Sequence, residues 1–350
     1  MEMNIFPLLS LPDVAARHVL AYTDVPALLN LSLSSKESYE FVKSANIRIH
    51  CLGFAKSGEV CQKIFVQRYR GSNSLHLIFD YTQQEPIRSF ELNRHLFHVV
   101  SEERRRNIFW CTPTNFDEAA SAFFSYFNDL FKCKTAHLEF DPYFIPSMPR
   151  LTNDPLFVER LESVYLFDYP VYRLIHGVTD EDTATVMRRF PNVKWLVSSM
   201  YGNLMSQPAL PEYENVYLKT VSTLLSDVLP LNCRTITLKD SMLDHSHFNT
   251  FIKNWLAGTN RTLERFEYKF GYPAEEHYQI KDVMEGIEHK PWNPRLRRKN
   301  FRIVRHIKPD VVVDCSKGCD FVRADGTMAT AFYHGKSFYF IVFHHPFGDE

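Results

Sequence analysis

The 350-residue chain has no run of eighteen apolar residues, so no membrane-spanning helix is expected. It has no excess charge of one sign either. Forty Lys and Arg stand against 41 Asp and Glu, a formal net charge of -1. Without a positive field, general nucleic-acid binding is not expected. The opening MEMNIFPLLSLP lacks a basic n-region and a long apolar core, so it does not read as a secretory leader. Seven cysteines are scattered at positions 51, 61, 111, 133, 233, 315 and 319. An odd, dispersed set without a leader reads as reduced thiols of an intracellular protein, cytoplasmic or nuclear. On that reading the Asn260-Arg261-Thr262 sequon carries no glycan.

Catalytic constellations are also missing. Gly335-Lys336-Ser337 imitates the end of a phosphate-binding loop, but the glycine needed upstream is Thr330 and the following residues are strand-like. It reads as a turn. Cys315 and Cys319, with His344 and His345 farther on, lack the paired spacing of a zinc site. Asp244-His245-Ser246-His247 sits at a helix start, where Asp244 or Ser246 serves better as an N-cap than as catalyst. No serine lies in a Gly-x-Ser-x-Gly elbow, and nothing pairs two carboxylates for acid–base work. No catalytic residue, cofactor or metal is therefore expected.

What is present is ordinary globular material, 45% hydrophobic and 23% charged, long enough for more than one module. The first forty-odd residues carry too much leucine for their size. Leu11-Pro12-Asp13 is a start signal for a helix over 13–23. Asp24 can cap a second helix with Pro26 in its first turn, and Ser34 or Ser35 a third running to position 43. Leu28, Leu29, Leu31 and Leu33 spread over roughly 200° of the second helix, whereas one core-facing stripe needs little more than about 100°. Such a small module must lean on the rest of the chain or on another protein.

This stretch resembles an F-box. The carrying residues are the lead-in Phe6-Pro7-Leu8-Leu9, then Leu11-Pro12-Asp13, Val19-Leu20, Leu28-Leu29 and Leu31-Ser32-Leu33-Ser34-Ser35-Lys36. Thr23 departs from the pattern, standing where a leucine or methionine is common. The resemblance covers residues 5–46. It implies docking on the Skp-family adaptor of cullin–RING ubiquitin ligases, with Leu8, Leu11, Pro12, Leu20, Leu28 and Leu31 as adaptor-binding residues.

Residues 47–115 read as a mainly β segment. "KIFVQRY" and "LHLIFDY" alternate around a hairpin loop at 71–74, "IRSFELN" is a third strand, and "EERRR" at 102–106 is a solvated surface. An amphipathic helix follows over 116–131, with Ala119, Phe123, Phe127 and Leu130 at helical spacing. Strand-like segments then recur as "TAHLEF", "ESVYLFD", "NVKWLVS", "NVYLKT", "RTITLKD" and "LERFEYKF", centred on Leu138, Leu166, Trp195, Leu218, Leu238 and Phe266. Helical patterns such as "DTATVMRRF" and "HSHFNTFIKNWLAG" lie between them. A strand and a helix every twenty to thirty residues predicts an irregular leucine-rich-repeat-like αβ region over 116–290, although the consensus asparagine or cysteine ladder is absent. A non-repetitive α/β domain is the alternative. Within this region, the segment from "NCRTITLKD" to "LERFEYKF", in about 210–270, resembles the F-box-associated domain (type 2) of a nematode family of F-box proteins. That resemblance implies substrate recruitment and assigns no binding residue. Residues 300–345 read as a C-terminal β-meander, with Asp325-Gly326 as its hairpin signal.

The predicted fold class is thus α/β: a three-helix F-box, an irregular leucine-rich-repeat-like αβ domain, and β-hairpins at the C-terminus. The basic cluster Arg295, Arg297, Arg298, Lys299 and Arg302 reads as a solvated loop, or else a contact for an acidic partner or an import signal. Trp195 and Tyr217 are candidates for a recognition face. The function implied is a substrate-recruiting subunit that binds a Skp-family adaptor, through it a cullin, and an unidentified protein substrate. The alternative is a non-catalytic interaction scaffold that enters no ligase.

Overall fold

A computed structural model of the chain describes residues 8, 11–57, 61–69, 74–79, 85, 88–92, 95–103, 108–112, 116–140, 149–167, 188–190, 193–199, 213–219, 224–271, 279–305 and 310–344. The chain divides into two compact units, Met1–Leu161 and Glu162–Glu350.

The first unit opens with helices α1 (Asp13–Tyr22), α2 (Val25–Ser32) and α3 (Lys36–Ser44). Their boundaries have local causes. Pro12 precedes α1, where its missing N–H costs nothing. The Asp24 carboxylate accepts from the Ala27 N–H at 2.9 Å and starts α2. Ser35 accepts from the Ser38 N–H at 3.0 Å and starts α3. Strands β1 (Arg48–Ser57), β2 (Cys61–Gln67), β3 (Ser74–Phe79), β4 (Arg88–Leu92), β5 (His95–Glu103) and β6 (Ile108–Thr112) follow. Then come α4 (Phe116–Leu130), β7 (Lys132–Phe140) and the short helices α5 (Pro149–Thr152) and α6 (Pro155–Arg160). In space the strands run β7-β1-β2-β3-β6-β5-β4. The β1–β2–β3 run is antiparallel, while β7 lies parallel to β1. Helix α4 supplies the aromatic core: Phe123 meets Phe97 at 4.9 Å between ring centroids, and Phe124 meets Phe157 at 5.3 Å.

The second unit opens with β8 (Leu161–Phe167), β9 (Trp195–Ser199), β10 (Asn215–Lys219), α7 (Leu225–Val228), β11 (Thr235–Lys239), α8 (His245–Leu256) and β12 (Arg265–Lys269). It continues through α9 (Ile280–Val283), β13 (Lys290–Pro291), β14 (Asn300–Ile303), β15 (Val311–Asp314), β16 (Cys319–Val322), β17 (Met328–His334) and β18 (Ser337–Phe343). Strands β8 to β12 are parallel, each beside its sequence neighbour. The sheet continues antiparallel through β18, β17, β16 and β13. Helix α8 covers one face. Phe248 stacks on Phe338 at 4.3 Å, Phe251 on Phe266 at 4.4 Å, and Trp255 meets Phe340 edge-on at 5.2 Å. On the opposite face the separate β14–β15 hairpin packs Ile303 and Val313 against Phe332, Tyr339 and Ile341.

Several expectations need correction. The helix over 116–131 and β7 group with the first unit, not with residues up to 290, because β7 pairs along its length with β1. Of the charged run at 102–106, Glu102 and Glu103 close β5, opposite Phe109 and Ile108 of β6; residues 104–107 lie outside the described residues. The C-terminal meander is shorter than expected and not a separate sheet: β16–β17–β18 run antiparallel in sequence order and join the parallel sheet through β12, while β14–β15 stand apart. The strand-by-strand phase also shifts. Leu218 sits opposite Ser198 and Leu238, and Leu238 opposite Tyr268, so Trp195 and Phe266 are not the strand centres. Bulk set those centres in the sequence, whereas register follows which alternating set is buried. The loop at 71–73 and positions 182–187 of "DTATVMRRF" lie outside the described residues.

Candidate functional site

Helix α1 is apolar on two sides. Ala16 and Leu20 point inward with 0% exposure. On the opposite side Val14, His18 and Tyr22 recur every four residues, and Val14 and Tyr22 are 82% and 80% exposed. His18 and Tyr22 meet edge-on at 5.0 Å. Pro12 is exposed, while Leu8, Leu11 and Leu31 are half-buried. Leu20 and Leu28, both at 0% exposure, differ from the sequence-based expectation of contact residues: they fill the interior of the module. The sequence reading missed Val14 and Tyr22. The helical spacing from Val14 to Tyr22 was the available signal.

The helices are bonded to the rest of the first unit. Arg68 donates to the carbonyl oxygens of Ala21 and Thr23, closing the C-terminal end of α1. The Tyr126 hydroxyl on α4 donates to Ser32 Oγ at 2.7 Å. Asp129, also on α4, accepts from Lys43 Nζ at 2.8 Å and from the Tyr39 hydroxyl. Burial pushes the Tyr126 phenol up to about 12, so it stays a donor. The Lys43 and Tyr39 hydrogen bonds hold the Asp129 carboxyl below the usual aspartate value.

A pH test of this bracket follows. Asp129 has a lower value folded than unfolded, so its contribution is complete above the unfolded value near about 4 and is lost as pH falls through the folded value. Asp129→Asn is expected to lower the urea midpoint at neutral pH, with the gap to wild type closing in acid. A gap that stays constant throughout the acid titration would show that the carboxylate charge is not what holds α3 to α4.

In the second unit Trp195 and Tyr217 are both half-buried, on β9 and β10. They share the sheet face turned away from α8, where Asn215 lies between Trp195 and Thr235 in one register row. Asn215 Nδ2 donates to the Lys194 carbonyl at 3.2 Å and its Oδ1 accepts from Thr235 Oγ1 at 2.8 Å. It therefore ties three strand starts together. Below this row Glu267, 2% exposed, accepts from the Tyr339 hydroxyl at 3.1 Å and faces Lys269 Nζ at 3.4 Å.

The motifs weighed for chemistry resolve into structure. Gly335-Lys336-Ser337 makes the β17–β18 turn, with Gly335 at φ 57°. Asp244 caps α8, accepting from the Ser246 and His247 N–H groups at 2.9 and 3.1 Å. Asn260 Nδ2 is committed to the Leu231 carbonyl at 2.7 Å. Burial pushes the Cys133 and Cys233 thiols up to about 12, so neither supplies a thiolate at neutral pH. Cys315 Sγ donates to the Lys299 carbonyl at 3.0 Å, and His344 Nε2 lies 2.8 Å from the Leu263 carbonyl; His345 lies outside the described residues. The side chains of Cys61 and Cys111 lie outside them too. Among the described residues no helix is long and apolar enough to cross a membrane, and no three His, Cys, Asp or Glu side chains gather as a metal site.

The basic cluster is not a solvated loop throughout. Arg297 is 0% exposed and binds Asp320. Lys299 pairs with Asp314 at 3.1 Å and Arg302 with Asp310 at 2.7 Å. Arg295, Arg298, Lys299 and Arg302 stay exposed, and Arg297 alone is drawn into the fold.

Two family models match. The F-box domain covers residues 8–50, and the F-box associated domain covers residues 210–268. Among curated proteins, the uncharacterized protein F54H12.5 of Caenorhabditis elegans is 30% identical over 342 residues, spanning 91% of this chain and 88% of its own length. A second C. elegans relative, the uncharacterized protein F59B2.8, is 23% identical over 365 residues, 99% of this chain and 79% of its own length. No solved structure matches. The chain belongs to the nematode family of F-box proteins that carry an F-box-associated type 2 domain. F-box domains generally bind Skp-family adaptors and F-box-associated domains bind substrates; both are typically non-catalytic modules.

Proposed function

We propose that this protein is the substrate-recruiting subunit of a cullin–RING ubiquitin ligase of the SCF type. The two-sided apolar character of α1 carries the reading. One side is covered by the chain itself, and the Val14–His18–Tyr22 side is left for a partner. Pro12, Leu8, Leu11 and Leu31 join that side's residues as adaptor contacts, and Leu20 and Leu28 support the module from within. The second unit, read as an irregular leucine-rich-repeat-like array, holds the substrate. In-register parallel strands and the Asn215 bridge support that reading. Catalysis then comes from proximity: tethering raises the effective concentration of substrate at the ligase, and this chain performs no covalent step. It works in the cytoplasm, the nucleus or both.

The Tyr126 and Asp129 bonds to α2 and α3 favour a second reading, a self-capping scaffold outside any ligase. A pull-down with purified Skp-family adaptor separates the two. Wild type is expected to bind, and Leu11→Ala/Pro12→Ala and Val14→Ala/Tyr22→Ala are expected to lose about tenfold or more, with circular dichroism unchanged. Failure of the wild type to bind would leave the scaffold reading.

A further inference from the structure

Each of three consecutive parallel strands ends in lysine: "NVYLK", "TITLK" and "RFEYK". The register aligns them, with Lys219 opposite Lys239 and Lys239 opposite Lys269. Neighbouring strands lie about 4.8 Å apart, so three ammonium groups are anchored along roughly 10 Å of one sheet face. Like charges directly opposite each other destabilise a sheet. The row is therefore a local cost that an anion would relieve.

The surroundings strengthen the positive field. Arg265, 5% exposed and on the same face, has a buried Nε without a hydrogen-bond partner. Burial first, and then Arg305 and Arg265, hold the Lys269 ammonium below its usual value, with Glu267 opposing. Asp240, 3.9 Å from Lys239, and Glu267, 3.4 Å from Lys269, are the carboxylates facing the row; among the described residues Lys219 makes no ion pair. Lys269 Nζ lies over the Tyr217 ring, 5.3 Å from its centroid.

We infer that Lys219, Lys239 and Lys269 form the docking row for an acidic or phosphorylated segment of the protein substrate, with Tyr217 as its aromatic border. This rests on the second unit being the substrate-holding half. Charge complementarity selects an oxyanion. The row's short span and the chain's formal net charge of -1 favour a few anionic side chains of a peptide over a nucleic-acid strand. Phosphate and carboxylate share this chemistry, and the test distinguishes them.

The experiment measures fluorescence anisotropy of the full chain with four labelled probes: a peptide holding a glutamate run, the same peptide with phosphoserines in the run, its glutamine analogue, and a short single-stranded oligonucleotide. Saturable, salt-sensitive binding of an acidic probe is expected, with none of the glutamine analogue. The tighter of the two acidic probes names the group. Lys239→Gln/Lys269→Gln is expected to weaken binding about tenfold or more. Lys219→Gln, at an exposed position where folding is not at stake, should weaken it too. Equal binding by wild type and variants, equal binding of the glutamine analogue, or no binding at all would overturn the proposal; so would preference for the oligonucleotide. The adaptor pull-down run on the same lysine variants should be unchanged. A wild type that binds acidic peptide but not the adaptor would refute the ligase reading and leave this one standing.

Discussion

Replacing Arg297 by alanine will lower the stability of the second unit by about 3–5 kcal/mol. The guanidinium is 0% exposed and donates four ways. Nε reaches Asp320 Oδ1 at 2.8 Å, and Nη2 reaches the Cys315 carbonyl at 2.9 Å and Thr330 Oγ1 at 3.1 Å. Nη1 reaches the Arg298 carbonyl at 3.2 Å. One side chain thus ties the segment before β14, the turn after β15, and strands β16 and β17. Asp320 is 5% exposed, and its Oδ2 has no hydrogen-bond partner even with Arg297 present. Alanine leaves that carboxylate as an uncompensated buried charge, which is the expensive half of breaking a buried pair. Removing both partners should cost much less, so Arg297→Met/Asp320→Leu is expected to recover most of the loss. Urea denaturation followed by tryptophan fluorescence reads both variants, since Trp255 and Trp292 lie in this unit. A loss under about 1 kcal/mol for the single variant would show that water replaces the guanidinium at the site.

That residue also marks where sequence reading stops. In one dimension Arg297 is one of five cations in a short run, and such runs are usually solvated. Apart from the adjacent Arg298 carbonyl, its partners lie 18 to 33 residues away, so only the folded hairpin reveals them. Features whose cause is local were legible. The caps at Asp24, Ser35 and Asp244 each involve an N–H two or three residues on, and all form. The alternating strands of the second unit also appear where their patterns lie. Phase was not legible. Trp195 looked central because it is large, yet the paired neighbours show it opening β9 beside Asn215. The N-terminal site divides in the same way. Leucine content announced a docking module, but which leucines face outward is decided only in the fold, where Leu20, Leu28 and Leu29 are buried and Tyr126 of α4 bonds Ser32 of α2. The lysine row needed both levels: three strand ends visible in sequence, and a register visible only in the sheet.

Gly53→Val will destabilise the first unit by about 3 kcal/mol, and much of the loss will disappear when Phe65 is shortened. Gly53 lies on β1 opposite Phe65 of β2, and the Phe65 ring lies over it, so that a Cβ on residue 53 would fall inside van der Waals contact with the ring. Glycine here serves close approach of a neighbour, and the aromatic ring covers the bare backbone. The ring has little room to move. His137, opposite Gly53 on β7, is 0% exposed and meets Phe65 at 5.4 Å between centroids, while His76 on β3 meets it at 6.1 Å from the other side. A branched side chain must therefore displace Phe65 against both histidines or bend β1, and valine's better strand propensity, worth up to about 1 kcal/mol, does not offset that. A double-mutant cycle isolates the contact. Phe65→Leu alone loses buried area, but in the Gly53→Val background it frees the space valine needs. The pair should be less destabilised than the sum of the singles by at least about 1 kcal/mol. Strict additivity would mean the strain lies in the β1 backbone instead. Adaptor pull-down on the same variants adds a functional consequence. Arg68, which closes α1, follows directly after β2, so a shift of that strand carries the carbonyl bracket with it. Gly53→Val is thus expected to weaken adaptor binding although it lies outside the F-box helices, and Phe65→Leu to restore part of it.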